Sequence, residues 1–318
     1  MSLQTFNFRA SDGQDVFCYR WLPETAPRAV IHIAHGMGEH AGRYAWTASQ
    51  LAHAGFAVFM DDHRGHGKTA TQLGDFGADG WNRTLADLHE MNQQYSQDYP
   101  GIPKVMFGHS MGSMLTEQYI ELHGETLDAA IISGSPGFAH PVLSWVLRLL
   151  CRFEAWRLGP LQTSALLQQL VFGSANKPFA ADTTEPSGFE WLSRDAQQVK
   201  AYVDDPMCGF VPFPASLRDI FNGAAWTQRQ ASVNQIPAQL PLYLFSGSAD
   251  PVHNKMRDLN RLLAAYGKAS LNLQTCFYPE GRHEMLNELN RDEVMQDIRQ
   301  WLEQQFPLSR QDAAPPRP

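Results

Sequence analysis

The chain has 318 residues, 43% of them apolar and 18% charged, with a net charge of −8 and a pI near 5.8. At roughly 150 residues per domain this allows one large domain or two modest ones with a substantial core. The acidic balance argues against nucleic acid as a partner, because phosphate binding needs a basic footprint; the charged fraction, below the usual ~25%, fits extensive buried or substrate-facing surface. Cys18, Cys151, Cys208 and Cys276 show neither metal nor redox spacing and read as free thiols in a reducing cytosol. The start of the chain lacks a basic region followed by an apolar run, and no stretch reaches the ~18 apolar residues of a membrane span. The expected location is cytoplasmic, with peripheral contact to the inner membrane face left open.

Residues 3–9 and 16–22 alternate in polarity around Ser11-Asp12-Gly13 and predict a hairpin. Residues 29–34 are a continuous apolar strand apart from His32, ending in His35-Gly36-Met37-Gly38-Glu39-His40. An amphipathic helix with Tyr44, Trp46, Ala48, Leu51 and Ala52 stops near Gly55. The strand at 56–60 runs into Asp61-Asp62-His63-Arg64-Gly65-His66-Gly67. A helix over 81–99 leads to a strand at 104–107, a helix over 111–123 and a strand over 127–133. Strands alternating with helices, many apolar on both faces, predict a mostly parallel sheet covered by helices.

The rhythm breaks from Pro136 to about Leu240, where segments rich in Trp, Phe, Leu and Pro predict a mostly helical insertion. It resumes with a strand at 242–245, a helix over 255–266, a strand over 271–278 and a helix over 292–306. The expected organisation is a core of residues 1–135 and 241–308, a helical cap of residues 136–240 and a disordered Pro/Ala/Arg-rich tail at 309–318. Trp145, Val146, Leu149 and Leu150 read as cap core and wall of an acyl tunnel, with transient membrane-surface contact as the other reading.

The stretch that organises the chain is Gly108-His109-Ser110-Met111-Gly112. It places a serine between a strand and a helix with a glycine two residues to either side, the G-x-S-x-G pattern in its strand–turn–helix context. Glycine at 108 and 112 removes side chains that would collide with backbone in so tight a turn. The Met111 amide then opens a helix and points at whatever carbonyl the serine attacks. A serine hydroxyl needs a base, and the base an orienting acid. Asp250 follows the strand at 242–245 and His283 follows the strand at 271–278, both at strand ends where an open α/β sheet gathers its site. The chain order Ser110, Asp250, His283 is that of α/β-hydrolases. A second oxyanion donor is expected from the loop after the strand at 29–34, where Gly36 and Gly38 let the Met37 amide face Ser110. His35, His40, His63 and His66 could suggest zinc, but they lie in glycine turns without cysteine partners; with Asp62 and Arg64 they read as hydrogen-bonding anchors of neighbouring loops.

Together, His35 to His40, Arg43-Tyr44, Asp62 to Gly67, Gly108 to Gly112, Asp250-Pro251-Val252 and Gly281-Arg282-His283-Glu284 resemble the monoacylglycerol lipase and lysophospholipase branch of the α/β-hydrolases. Trp191 to Asp195 and Asp205 to Phe210 are similar to cap segments of bacterial members. The resemblance covers about residues 5–306. It implies a capped serine hydrolase without cofactor or metal, acting on lipid-like fatty-acyl esters, with Ser110 as nucleophile, His283 as base, Asp250 as its partner and Met37 and Met111 as oxyanion donors. Two readings stand beside it: a serine peptidase, which would want a carboxylate near the serine (Glu185, Glu190, Asp204 or Asp205), and a non-catalytic binding protein. Nothing in the sequence sets the oligomeric state.

Overall fold

The computed structural model of the chain describes residues 2–159 and 161–307, so the tail expected at 309–318 lies outside the described residues. Eight strands form one sheet in the order β1-β2-β4-β3-β5-β6-β7-β8. β1 (Ser2–Arg9) and β2 (Asp15–Leu22) pair antiparallel as the expected hairpin. Gly13 closes their turn in the left-handed region at φ 90°, its amide on the Ala10 carbonyl. β2 joins β4 (Ala57–Asp61) antiparallel. The remaining pairings, through β3 (Val30–Ala34), β5 (Lys104–His109), β6 (Ala129–Ser133), β7 (Leu242–Gly247) and β8 (Leu273–Tyr278), are all parallel.

Parallel neighbours need crossovers, and helices supply them. α1 (Ala45–His53), α2 (Gly80–Asp98) and α3 (Met111–His123) precede the last of the first six strands. Between β6 and β7 come α4 (Pro141–Leu158), α5 (Ala165–Gln168), α6 (Ser174–Asn176), α7 (Ala196–Asp204), α8 (Pro214–Thr227) and α9 (Gln230–Val233). α10 (Arg257–Lys268) joins β7 to β8, and α11 (Arg291–Gln305) follows β8. Every residue of β3 to β7 is buried, which is why these strands read as continuous apolar runs rather than alternating ones. Their side chains divide between two cores. Val30, Met106, Ile132 and Leu244 pack with Leu88 of α2, Leu115 of α3, Ile220 of α8 and Leu262 of α10. Ile31, Phe107, Ile131 and Phe245 pack with Leu51 of α1 and Ile298 of α11.

The connection from β6 to β7 contains no strand among the described residues. Its two ends behave differently. α8 and α9 join the main core through Leu217, Ile220 and Val233, and α8 approaches α2 so closely that a Cβ on Gly223 would meet the Trp81 indole. Phe172, Ala175, Trp191, Leu192 and Tyr202 instead make a small core of their own. α4 lies on α8 with Ser144, Cys151 and Glu154 turned inward. This corrects one expectation. Trp145, Val146 and Leu149 are 55%, 44% and 44% exposed rather than part of a core or tunnel wall, and only Leu150 is half-buried. A helix apolar on most sides needs neighbours on most sides, and α4 has its main one in α8.

Candidate active site

β5 ends at His109 and α3 begins at Met111, leaving Ser110 alone in the turn at φ 54° and ψ −116°. A side-chain-bearing residue held there stores strain of about 1–3 kcal/mol. The flanking glycines make the turn feasible: a Cβ on Gly108 would strike the Gly112 carbonyl and the Thr116 hydroxyl, and one on Gly112 would strike the Ala34 carbonyl. The Ser110 amide donates to the Ser133 carbonyl at 2.9 Å, and the Ser113 hydroxyl donates to the Ser110 carbonyl at 2.6 Å. The nucleophile candidate is thus pinned to the neighbouring strand and to the first turn of its own helix.

The structure brings the three expected side chains together. Ser110 Oγ lies 2.9 Å from His283 Nε2, and His283 Nδ1 lies 2.9 Å from Asp250 Oδ2. The parallel register of β7 and β8 sets Gly247 beside Tyr278, so the loops carrying Asp250 and His283 leave the sheet side by side. They touch through backbone: the Ala249 amide donates to the Gly281 carbonyl at 2.9 Å, an approach that a Cβ on Gly247 would block. Burial disfavours the charged His283 imidazole, but the charge and hydrogen bond of Asp250, helped by Glu284 and Glu39, outweigh it and raise its pKa above the ordinary value. Burial likewise works to raise the Asp250 carboxyl, and the charge and hydrogen bond of His283 overcome it and lower the pKa. A raised imidazole next to a lowered carboxylate suits a base that must carry a proton transiently. His253, whose ring nitrogens bond the Gly247 carbonyl at 3.0 Å and the Met256 amide at 2.9 Å, braces the Asp250 loop.

The loop after β3 lies against the serine, with an ideal Cβ on Gly36 reaching 3.2 Å from the Ser110 Cβ. The Gly36 amide donates to Glu39 Oε1 at 2.7 Å and the Gly38 amide to His66 Nε2 at 3.3 Å. Among the described residues, the Met37 amide between them and the Met111 amide at the start of α3 make no hydrogen bond, so both can donate to something else.

Several residues of the site were not assigned a role from the sequence. Arg43 bonds Glu39 at 2.6 Å and Glu284 at 2.7 Å through both guanidinium arms, with the Tyr202 ring over it at 4.7 Å. Burial opposes the charge on Glu284, but Arg43 prevails and brings its pKa down to about 2. His109, hidden as a variable position of the serine motif, sits 4.9 Å from the His283 ring and contacts the Ser133 hydroxyl at 3.2 Å. Burial, then the nearby His283, push its pKa down to about 3, so it stays neutral. Trp191 also packs on His283, with ring centroids 4.9 Å apart. The signal for Glu39, Arg43 and Glu284 was their position inside the two site loops, but no local pattern says which acid meets which cation.

The histidines considered for metal have their ring nitrogens engaged in most cases. His35 bonds the Gly36 carbonyl at 2.7 Å and the His63 amide at 3.0 Å. His66 bonds the Arg64 carbonyl at 3.0 Å as well as the Gly38 amide, and His63 Nδ1 bonds Asp61 at 2.6 Å. His40 lies with Asp205 and Cys208. There the Gly42 amide donates to His40 Nδ1 at 3.2 Å, which places the ring proton on Nε2, 3.0 Å from Asp205. Burial keeps the Cys208 thiol well above its ordinary pKa, and the hydrogen bond between His40 and Asp205 ties the loop after β3 to the β6–β7 connection. Asp62 accepts the Ala41 and Lys68 amides at 2.9 and 2.8 Å, and Arg64 bridges Asp12 and Asp87.

Around Ser110 the walls are Gly36, Met37, Glu39, His109, His283 and Glu284 from the core and Phe172, Trp191, Leu192 and Tyr202 from the β6–β7 connection. The space between them is small, about 30 Å³.

Comparison with known proteins agrees with this architecture. The chain is 29% identical over 294 residues to the monoacylglycerol lipase of Mycolicibacterium smegmatis, covering 89% of this chain and 90% of that one. It is 32% identical over 171 residues to the human monoglyceride lipase, covering 49% and 53%. A thermostable carboxyl esterase from Bacillus coagulans, solved with glycerol, superimposes with a TM-score of 0.87 at 27% identity, covering 96% and 99%. Residues 25–290 match the family described as serine aminopeptidase, S33. With that match over most of its length, and with the sheet, the flanking helices and the strained serine turn in place, the chain belongs to this α/β-hydrolase family.

Proposed function

We propose that Ser110, His283 and Asp250 form the catalytic triad of an ester hydrolase of the monoacylglycerol lipase kind, with the Met37 and Met111 amides as its oxyanion hole. The observation that carries this reading is the unbroken chain of two 2.9 Å contacts from the Ser110 hydroxyl through His283 to Asp250. His283 takes the serine proton as Ser110 attacks the ester carbonyl. The tetrahedral oxyanion lies between the two amides. On collapse His283 protonates the departing alcohol, leaving an acyl-enzyme. The same imidazole then activates water, which releases the fatty acid and restores the serine. Asp250 holds the ring in the required tautomer and stabilises its charged form.

The family description names a peptidase, so that alternative needs a physical test. An aminopeptidase needs an uncommitted carboxylate near the nucleophile for the substrate ammonium. Glu185, Glu190 and Asp204 instead border a separate groove of about 350 Å³ together with Arg194 and Arg282, and Asp205 is taken by His40. The carboxylates that do face Ser110, Glu39 and Glu284, are bound by Arg43. A neutral substrate with an apolar chain fits this site better. The names of the relatives and the glycerol of the Bacillus esterase point the same way.

We further propose that the segment from α4 to about Phe213 is the cap. The space of about 30 Å³ beside Ser110 is small for an acyl ester, which supports a cap that shifts to admit one. The uncovered row of Val142, Leu143, Trp145, Leu149, Phe153 and Trp156 on α4 fits transient contact with a lipid surface. That would make the protein peripheral to a membrane, and no helix among the described residues is long and apolar enough to cross one. Lysophospholipids are within the same substrate class. A panel of acylglycerols, lysophospholipids, p-nitrophenyl esters and aminoacyl amides, run with the Ser110→Ala variant, tests the reading: turnover confined to esters and abolished in the variant is expected. A preference for aminoacyl amides, or turnover surviving in Ser110→Ala, rejects it. Fluorophosphonate labelling at Ser110 separates an enzyme from a non-catalytic binder.

A further inference from the structure

We infer that the oxyanion hole is built jointly by the core and the cap, and that Tyr202 is the positioning residue that locks it from the cap side. The inference rests on the hydrolase reading above and concerns what holds the Met37 amide in place. That amide has a fixed neighbour on each side. Before it, the Gly36 amide is tied to Glu39 at 2.7 Å. After it, Gly38 is held from two directions. Its amide meets His66 at 3.3 Å in the core. Its carbonyl accepts two hydrogen bonds from the cap, from the Tyr202 hydroxyl at 2.8 Å and from the Gly209 amide at 2.9 Å. Both lone pairs of that carbonyl are therefore taken by residues of α7 and the turn after it. Gly38 sits at φ 70°, and an added Cβ would come within 2.8 Å of the Phe210 carbonyl, so the two backbones meet without room for a side chain.

Tyr202 reaches the other anchor too. Its ring covers the Arg43 guanidinium at 4.7 Å, and Arg43 holds Glu39 at 2.6 Å, the acid that fixes Gly36. One cap side chain, almost fully buried, thus braces both neighbours of the proposed donor. The same part of the cap grips the histidine loop, the His283 amide donating to the Trp191 carbonyl at 3.3 Å and the Glu284 amide to the Leu192 carbonyl at 2.7 Å. Substrate admission that keeps the hole intact must then leave the stretch from Trp191 to Phe210 seated on the Gly38 and His283 loops. Fixed donors are effective because they need no reorganisation as charge develops; a donor whose loop is loosened loses part of that advantage.

The test is Tyr202→Phe, which keeps the ring over Arg43 and removes only the hydroxyl. Because losing a whole oxyanion donor costs ~10²–10³ in rate, loosening one should lower kcat for p-nitrophenyl butyrate about 10-fold, with KM within about two-fold. A butyl trifluoromethyl ketone, which places an oxyanion in the hole on reaction with the serine, should bind more weakly by the same factor, while the matching methyl ketone changes little. Tyr202→Leu, which also uncovers Arg43, should fall further, and circular dichroism of both variants should match the wild type. A kcat for Tyr202→Phe within two-fold of wild type overturns the inference. So does a rise in KM alone, which would make Tyr202 a substrate wall. Ester turnover surviving in Ser110→Ala, measured in the same assay, would instead overturn the triad.

Discussion

The connection between β6 and β7 holds two aromatic-rich stretches with opposite surroundings. In α4, Trp145, Phe153 and Trp156 are 55%, 50% and 80% exposed, whereas Phe172, Trp191, Tyr202 and Phe213, further along, are at most 6% exposed. The two stretches look alike in composition. They differ in what they face. The inner one meets the loops that carry Gly38 and His283 and is stitched to them by backbone hydrogen bonds. The outer one rests on α8 and turns its apolar row away from the chain. Aromatic enrichment in this segment therefore marks two jobs, shaping the site and presenting a surface, and the chain separates them by about one helix.

If that separation is real, damage to one region should leave the other's readout alone. The largest effect is expected from Asp250→Asn. It keeps the shape of the proposed triad but favours the wrong imidazole tautomer, and kcat should fall by about 10⁴, while retention on phosphatidylcholine vesicles, measured by flotation, stays at the wild-type level. Trp191→Ala comes next. It removes the ring packed 4.9 Å from His283 and 6.1 Å from Phe172. Loss of a buried Trp costs about 3–5 kcal/mol, visible as a lower denaturation midpoint, and kcat should drop on the order of 10-fold with the imidazole less well held. Trp145→Ser combined with Trp156→Ser should do the converse: vesicle retention falls about 10-fold, and turnover of a short soluble ester stays within about two-fold. A large loss of soluble-ester turnover in that double variant would mean the outer row is wired to the site after all.

The smallest effect sharpens the inner side of the comparison. In the proposed mechanism His283 must be neutral to accept the serine proton; burial works against its charged form, but Asp250 outweighs it and raises the pKa above the ordinary ~6.5. Activity should therefore be lost as pH falls through a value above ~6.5. Asp250→Asn removes the raising charge, so its residual activity should show that acid limb at lower pH, while the double tryptophan variant keeps the wild-type limb. A pH profile of kcat/KM for the three proteins reads this directly.

Much of the architecture was written locally. The serine turn was legible because steric conflict in five residues admits only glycine at positions 108 and 112, and the hairpin because Asp12-Gly13 suits a tight reversal. The parallel strands showed as apolar runs because helices cover both faces. Strand ends were less legible: β7 runs on to Gly247 because contact with β8 extends the ladder past its apolar stretch. Such signals depend on neighbours in the chain, and they sufficed for the sheet, the helical insertion and the order of Ser110, Asp250 and His283.

Only the folded chain decided which faces of α4 are covered, that Arg43 joins Glu39 to a Glu284 lying 241 residues away, and that Tyr202 closes on a carbonyl 164 residues before it. Burial leaves an acid, a cation or a hydroxyl in need of a partner but does not name one. The pairing is chosen by which loops the parallel register delivers to the same edge of the sheet, and that choice belongs to the tertiary structure alone.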